Sequence, residues 1–388
     1  MRTAHIITRL ILGGAQENTL FTVDDQHHLF GDEVCLITGP GAGPEGSLES
    51  QARSRGLDLR VLPELGRSIR PWQDLLALRA IRRALKDYAP QIVHTHSSKA
   101  GILGRLAAFQ LGIPAVHTIH GAAFHYGQHR LAFHAYRLAE RLAARWCDHL
   151  ISVCDAMTTQ YVAAGIAGRE RFTTVYSGMD VDRFVAPRQA PAEIRRQLNL
   201  EPGDLVFGKV ARLFHLKGHN HLIEAAPAVA AALPNARFLL VGDGVLRDHY
   251  QKRIEELGLT GHFRFTGLVA PDDVPDYLHA MDVVVHTSDW EGLPRVLPQA
   301  MLAGKPTIAF NIDGAPEVCL PDVTGLLADH GNAAQLTTAM LKLGTDPKLR
   351  ERLGRKGREH CSEVFRHEFM TRRIREIYAD VLAKRYPA

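Results

Sequence analysis

Apolar positions along the chain follow two alternating periods. Short runs rich in β-branched residues, "TAHIIT", "EVCLIT", "LDLRVL", "QIVHTH", "AVHTIHG" and "DHLISV", are separated by stretches of helical spacing. The helical stretches include "WQDLLALRAIRRALKDY", "SKAGILGRLAAFQLG", "RLAFHAYRLAERLAARW" and "AMTTQYVAAG". Strands that alternate with helices predict parallel sheets joined by right-handed crossovers. At residues 184–193, "FVAPRQAPAE", two prolines interrupt the pattern and mark a linker. The alternation then restarts with "LVFGKVAR", "NHLIEAAPAVAAAL", "RFLLVGDG", "VLRDHYQKRIEELG", "FRFTG", "VPDYLHAM" and "DVVVHTS".

The expected fold class is therefore α/β, with two doubly wound domains over residues 1–185 and 193–368. The amphipathic tail ending in "IREIYADVLAKRY", residues 370–388, is expected to rejoin the first domain. Ligands of such sheets bind beyond the carboxyl ends of the strands. Two domains in tandem would turn those ends toward a shared central cleft, so polar residues just after strands carry the chemistry.

Composition narrows the class. The chain has 388 residues, 46% hydrophobic and 23% charged, enough to bury a core in each domain. A net charge of +4 does not describe a nucleic-acid binder. Cys35, Cys147, Cys154, Cys319 and Cys361 are odd in number and lack C-x-x-C spacing, which reads as reduced thiols. The opening "MRTAHIITRLILGG" reads as a first strand rather than a signal peptide, with Arg9 inside its short apolar run. No apolar run approaches the ~20 residues of a membrane span. The expected setting is the cytoplasm, extending to the inner face of a membrane.

Candidate chemistry falls at strand ends. Gly13 and Gly14, followed by Gln16, let a backbone approach a ligand at a helix start. His94 and His96 precede Ser97, Ser98 and Lys99; an H-x-H pair could ligate a metal, or one ring could pack while the other faces the cleft. His120, before Gly121, has the chemistry to bond a sugar hydroxyl or move a proton. Arg212 follows a strand and Lys217 precedes a helix, a pairing that holds a diphosphate without a metal. "VGDG", ending at Gly244, offers backbone donors, and "FRFTG" around Phe265 offers backbone groups to a base. Glu291 lies in the loop "DWEGLP"; Pro294 and Pro298 set a helix start near Arg295 that carries Gln299, and Gly304 stops the helix. Carboxylates beside an anion site suit an anion that bears sugars, because they accept hydrogen bonds from hydroxyls.

These pieces, in order, resemble the retaining glycosyltransferases of family four, GT-B type, over essentially the whole chain. The matching text is "GGAQE", "HTHSSKAGILGRLAA", "HTIHG", "VYSGMDVDRF", "VARLFHLKG", "VGDG", "EGLPRVLPQAMLAGKP" and "DGAPEV". Its first and second pieces look like the branch found in bacterial surface-polysaccharide gene sets. The resemblance implies two Rossmann-like domains, with a nucleoside diphosphate sugar held mainly by the second. Arg212 and Lys217 match the pair that neutralises the diphosphate. Glu291 matches the acid that contacts the donor sugar, and position 299 the acid that holds the ribose. His120 matches the first-domain histidine near the transferred sugar, and Gly14 the turn at the phosphates. Gly244, Phe265, Leu293, Pro294 and Arg295 fall on the donor side. Gln16, His96, Ser97 and Lys99 are acceptor-side candidates.

The departure from the family pattern is Gln299. An amide accepts and donates where a carboxylate accepts twice, at a cost of about 1 kcal/mol.

The implied reaction is sugar transfer, with retention, to a hydroxyl of a glycan or lipid-linked acceptor, with neither metal nor further cofactor. The rivals are a nucleotide-sugar epimerase of the same fold, a metal-dependent hydrolase using His94 and His96, and a non-catalytic donor-binding protein. Basic residues among aromatics in "RLAFHAYRLAERLAARW" add a possible membrane contact.

Overall fold

The alternation of strand and helix periods is realised as two compact units, Met1–Met179 with Phe365–Ala388, and Asp180–Val364. The computed structural model describes residues 1–41, 46–124 and 128–386; the last two residues of the expected C-terminal helix, 387 and 388, lie outside the described residues.

In chain order, unit 1 opens with β1 (Arg2–Arg9), α1 (Gly14–His28), β2 (Glu33–Gly39), α2 (Glu49–Ser54), β3 (Asp58–Val61), α3 (Pro71–Tyr88) and β4 (Ile92–His96). It continues with α4 (Ser98–Leu111), β5 (Ala115–Ile119), α5 (Arg130–Ala143), β6 (His149–Ser152), α6 (Asp155–Ala163) and β7 (Phe172–Thr174). Unit 2 follows with α7 (Asp182–Val185), α8 (Pro191–Gln197), β8 (Leu205–Val210), α9 (His219–Ala232), β9 (Ala236–Val241), α10 (Arg247–Glu256) and β10 (Phe263–Gly267). After these come α11 (Val274–Ala280), β11 (Val283–His286), α12 (Val296–Leu302), β12 (Thr307–Phe310), β13 (Gly325–Ala328), α13 (Ala333–Thr345) and α14 (Pro347–Val364). The final helix, α15 (His367–Arg385), packs on α1 of unit 1.

Among the described residues, unit 1 holds a parallel sheet in the order β3-β2-β1-β4-β5-β6-β7, and unit 2 one in the order β10-β9-β8-β11-β12-β13. Both are Rossmann-like. Their strands are buried on both faces, so they read as near-continuous apolar runs such as Val283–Val285. Helices cover each face; Leu222, Ile223, Val229, Leu336 and Met340 pack on Phe207, Phe238 and Phe310 in unit 2. Chain order reverses between β1 and β4 in unit 1 and between β8 and β11 in unit 2. At such switch points the loops beyond the strands diverge and leave room for a ligand.

The Pro-rich stretch after α7 is fastened to unit 2. The buried carboxylate of Asp276 on α11 accepts from the backbone N–H of Arg188 at 2.6 Å and of Gln189 at 3.2 Å. Pro191 then occupies the first turn of α8, where its missing N–H costs nothing. On unit 1, α15 is tied by Asp25 of α1, which accepts from Thr371 Oγ1 at 2.7 Å and from His367 Nδ1 at 2.9 Å.

Candidate active site

In unit 2 the loops after β8 and β11 open side by side at the switch point. Arg212, just past β8, is exposed. A single tight turn, His215–Lys217, leads into Gly218, whose φ of 58° is left-handed, and α9 begins there. A Cβ at Gly218 would stand 1.8 Å from the Thr287 carbonyl oxygen, so only glycine lets the β8 loop meet the β11 loop. That approach sets Lys217 Nζ 2.5 Å from Glu291 Oε1, and His286 Nε2 lies 3.7 Å from the same oxygen. Burial by itself would raise the Glu291 carboxyl. Lys217, by its charge and its hydrogen bond, outweighs burial and holds it below the ordinary carboxylate range.

The acid loop is braced from two sides. Asp313 Oδ2 accepts from the Glu291 backbone N–H at 2.9 Å. Asp289 Oδ1 accepts from His221 Nε2 at 2.7 Å and from His330 Nε2 at 2.9 Å, which ties the loop to α9 and to the segment after β13.

Beneath this surface lies Lys209 of β8, fully buried. Its Nζ donates to Thr287 Oγ1 at 3.0 Å, and that hydroxyl donates to the Gly218 carbonyl at 2.7 Å. Burial, reinforced by Lys217, pushes the Lys209 ammonium down to about 7. Burial likewise drives His219 to about 2 and His286 to about 3, so both rings are neutral at pH 7. The fixed cations of the site are thus Arg212 and Lys217, with Lys209 poised to add a charge from below.

In unit 1 the corresponding loops follow β1 and β4. Gly13 caps α1, and Gly14 is its first residue. Ser97 adopts a left-handed φ of 61°; its hydroxyl lies 2.7 Å from Thr8 Oγ1, which in turn accepts from the Ala100 N–H at 3.1 Å. Inside, His5, His94 and His96 cluster, all buried. His94 lies between Tyr378 OH at 2.5 Å and Thr118 Oγ1 at 2.7 Å. His5 contacts Gln26 Oε1 and His96, each at 3.0 Å, and His96 contacts His120 at 3.1 Å. All six nitrogens of the three rings therefore face protein hydrogen-bond partners. A cation would have to displace those bonds to gain lone pairs, so the cluster is a poor fit for a metal.

A family model described as "Glycosyl transferases group 1" matches residues 191–360, and one described as "Glycosyl transferase 4-like domain" matches residues 26–178. The 2-deoxystreptamine glucosyltransferase of Streptomyces kanamyceticus is 30% identical over 273 residues, covering 68% of this chain and 70% of the relative. The chain belongs to the family-four glycosyltransferases of GT-B type. The UDP-Gal:alpha-D-GlcNAc-diphosphoundecaprenol alpha-1,3-galactosyltransferase of Escherichia coli is 28% identical over 392 residues, covering 99% of this chain and 98% of the relative. Among solved structures, Anabaena Alr3699/HepE in complex with UDP superposes with a TM-score of 0.82 at 23% identity, covering 98% of this chain and 100% of that one. That likeness is one of fold.

In this glycosyltransferase, unit 2 gathers Arg212, Lys217 and Glu291 on adjacent loops. Buried Leu293 and Pro294 and half-buried Arg295 lead into α12. Gln299 is half-buried on α12, its side-chain amide without a hydrogen bond among the described residues. Phe265 lies on β10 with the Arg247 guanidinium 5.9 Å from its ring centre.

One expectation changes, that for His96. Gly244 is needed for packing within the protein, since a Cβ there would lie 2.5 Å from the Leu213 carbonyl oxygen. His96 is fully buried with both nitrogens engaged, so it meets no acceptor directly. Lys99 donates to the Ser68 carbonyl at 2.5 Å and pairs with Asp74. Gln16, Ser97 and Lys99 line a cavity of about 540 Å³ with Arg9, Arg67, Ile69 and Tyr136.

Lys209 and His286 were missed. The signal for Lys209 was a lone cation within the apolar strand "LVFGKV", which is costly to bury. His286 ends β11 five residues before Glu291.

Proposed function

We propose that this glycosyltransferase moves a hexosyl group from a nucleoside diphosphate sugar to a hydroxyl of a lipid-linked or oligosaccharide acceptor in cell-surface polysaccharide synthesis. Transfer proceeds with retention at the anomeric carbon and without a metal. The observation that carries the reading is Lys217 paired with Glu291 at the unit 2 switch point, with Arg212 exposed on the same loop as Lys217. Two cations and the first N–H groups of α9 match the charge of a diphosphate, which elsewhere a metal would neutralise.

As the bond from the anomeric carbon to the diphosphate oxygen breaks, negative charge grows on the leaving group, and Arg212 and Lys217 stabilise it. The acceptor hydroxyl attacks from the face the diphosphate leaves, and its proton passes to a diphosphate oxygen. Glu291 accepts hydrogen bonds from sugar hydroxyls, and Gln299 bonds the ribose. Unit 1 supplies His120 to the reaction, and the cavity lined by Arg9, Gln16, Arg67 and Ser97 receives the acceptor. The Escherichia coli relative, matched over nearly its full length, names a uridine diphosphate donor and a diphosphoundecaprenol acceptor. Those two chemistries are the first to test here.

The test is a thermal-shift panel of nucleotide sugars, followed by transfer to an N-acetylglucosaminyl diphosphate lipid. A bound donor raises the melting temperature, and NMR of the product from an α-linked donor should show an α linkage. A β product would overturn retention. Conversion of the donor without acceptor would favour epimerisation, and no shift with any nucleotide sugar would overturn the donor assignment.

A further inference from the structure

β1 and β4 pair in register with His5 opposite His94, which places a file of imidazoles across unit 1. Gln26 Oε1 lies 3.0 Å from His5 Nε2, His5 Nδ1 lies 3.0 Å from His96 Nε2, and His96 Nδ1 lies 3.1 Å from His120 Nε2. The His5 and His96 rings stack with centres 5.3 Å apart, and those of His96 and His120 with centres 5.4 Å apart. Gln26, His5 and His96 are fully buried, whereas His120 reaches the edge of a small cavity with Ser97, Ser98 and Gly121.

A neutral imidazole has one donor and one acceptor nitrogen. In a file of neutral rings, the hydrogen bond at one end therefore sets the proton position on every ring. Burial keeps His5 and His96 neutral, pushing His5 down to about 4 and His96 well below its ordinary value.

The end of the file is set by Gln26. Its Oε1 accepts from Thr3 Oγ1 at 3.0 Å, and its Nε2 faces Tyr378 OH at 3.4 Å. Tyr378 OH lies 2.5 Å from His94 Nδ1 and 3.5 Å from His5 Nε2, and His94 Nε2 lies 2.7 Å from Thr118 Oγ1. With Gln26 presenting oxygen, His5 must donate from Nε2 and accept at Nδ1. His96 then donates from Nε2 and accepts at Nδ1, and His120 donates from Nε2.

We propose that Gln26, acting through His5 and His96, holds His120 in the Nε2–H tautomer, with Nδ1 as its acceptor nitrogen. Gln26 is a positioning residue three hydrogen bonds from His120 along the file, and no proton need travel along it. The consequence for transfer rests on the reading that His120 takes part in the reaction.

The test is 15N NMR of histidine-labelled enzyme, with the His120 signals assigned by their loss in His120→Ala. Wild type should show a pyrrole-type shift at Nε2 and a pyridine-type shift at Nδ1. Gln26→Met removes the terminal acceptor and should move both His120 signals toward the average of two tautomers. Its kcat for transfer should fall about tenfold with donor KM within about twofold. Thr3→Val, which removes a neighbour of the same oxygen without touching the file, should leave the His120 signals in place.

A His120 Nδ1–H tautomer in wild type, or unchanged His120 signals in Gln26→Met, would overturn the proposal. If Gln26→Met does not fold, the wild-type spectrum decides it. Tautomer loss with unchanged turnover would uphold the relay and remove His120 from the transfer step.

Discussion

Lys217 and Glu291, 74 residues apart in sequence, form an ion pair of 2.5 Å at the mouth of unit 2. The pair exists because β8 and β11 adjoin and because Gly218 lets their loops touch. Both side chains retain some exposure, so the pair contributes little to stability, of the order of 1 kcal/mol or less. Its electrostatic value lies in fixing a cation over the switch point. Lys217→Ala should therefore lower kcat/KM for transfer by about 10²–10³-fold while the melting temperature changes by only a few degrees. The same variant should raise the Glu291 carboxyl pKa, since Lys217 is the main influence opposing burial there. Steady-state kinetics beside a melting curve checks both halves, and wild-type turnover would end the diphosphate assignment.

Gln299 tests the ribose contact. A carboxylate accepts from two adjacent hydroxyls with charge assistance, whereas the amide accepts through one atom only. Gln299→Glu should bind the donor at least as tightly, with a gain of up to about fivefold, corresponding to ~1 kcal/mol. Calorimetric titration with the nucleoside diphosphate is the direct measurement. A clear weakening would mean that the amide donates to some other group, such as a base carbonyl.

Lys209 links stability to pH. Its folded pKa, about 7, lies below its ordinary 10.5 because burial disfavours the ammonium. Between these values the unfolded chain binds the extra proton, so this residue's contribution to stability rises with pH through that window and its full penalty applies below about pH 7. Lys209→Met removes the titrating group. The stability of wild type relative to Lys209→Met should therefore climb as pH rises from about 7 to about 10, measured by denaturant unfolding of both proteins. A difference that stays flat would show that the amine titrates normally.

The fold was legible because its signals are local. The runs "QIVHTH" and "DVVVHTS" announce buried strands, and the polar residues just beyond them fall where a doubly wound sheet binds ligands. For the same reason Arg212, Lys217 and Glu291 could be placed before the structure: each sits one short loop after a strand. The His5 file was not legible, because Tyr378 meets His94 across 284 residues and His5 belongs to a strand that reads as simply apolar. Lys209 was hidden likewise, since a single lysine in a strand gives no sign of whether it points to solvent or to a neighbouring loop. The packing role of Gly244 was not legible either, because a glycine that makes room for protein backbone and one that makes room for a phosphate look the same in sequence.

The surface of unit 1 carries the last prediction. Trp72 is 81% exposed, Leu131 75% and Leu138 64%, with Ile69, Leu76 and Leu142 also exposed. Ile69, ahead of α3, and Tyr136 of α5 both border the cavity that is also lined by Arg9 and Arg67. Arg130, Arg141 and Arg145 are exposed on or just after α5. Large apolar side chains are seldom left in such a group without a partner. With arginines among them they match an anionic lipid surface, which is where a polyprenyl-linked acceptor would be presented. The enzyme should co-sediment with vesicles containing anionic phospholipid and less with neutral ones. Leu131→Ser with Leu138→Ser should lower the bound fraction at least about fivefold, given the ~1.5 kcal/mol or more for burying each leucine, and should leave donor binding by unit 2 unchanged. If wild type ignores both kinds of vesicle, the exposed face has another use and a water-soluble oligosaccharide becomes the acceptor to pursue.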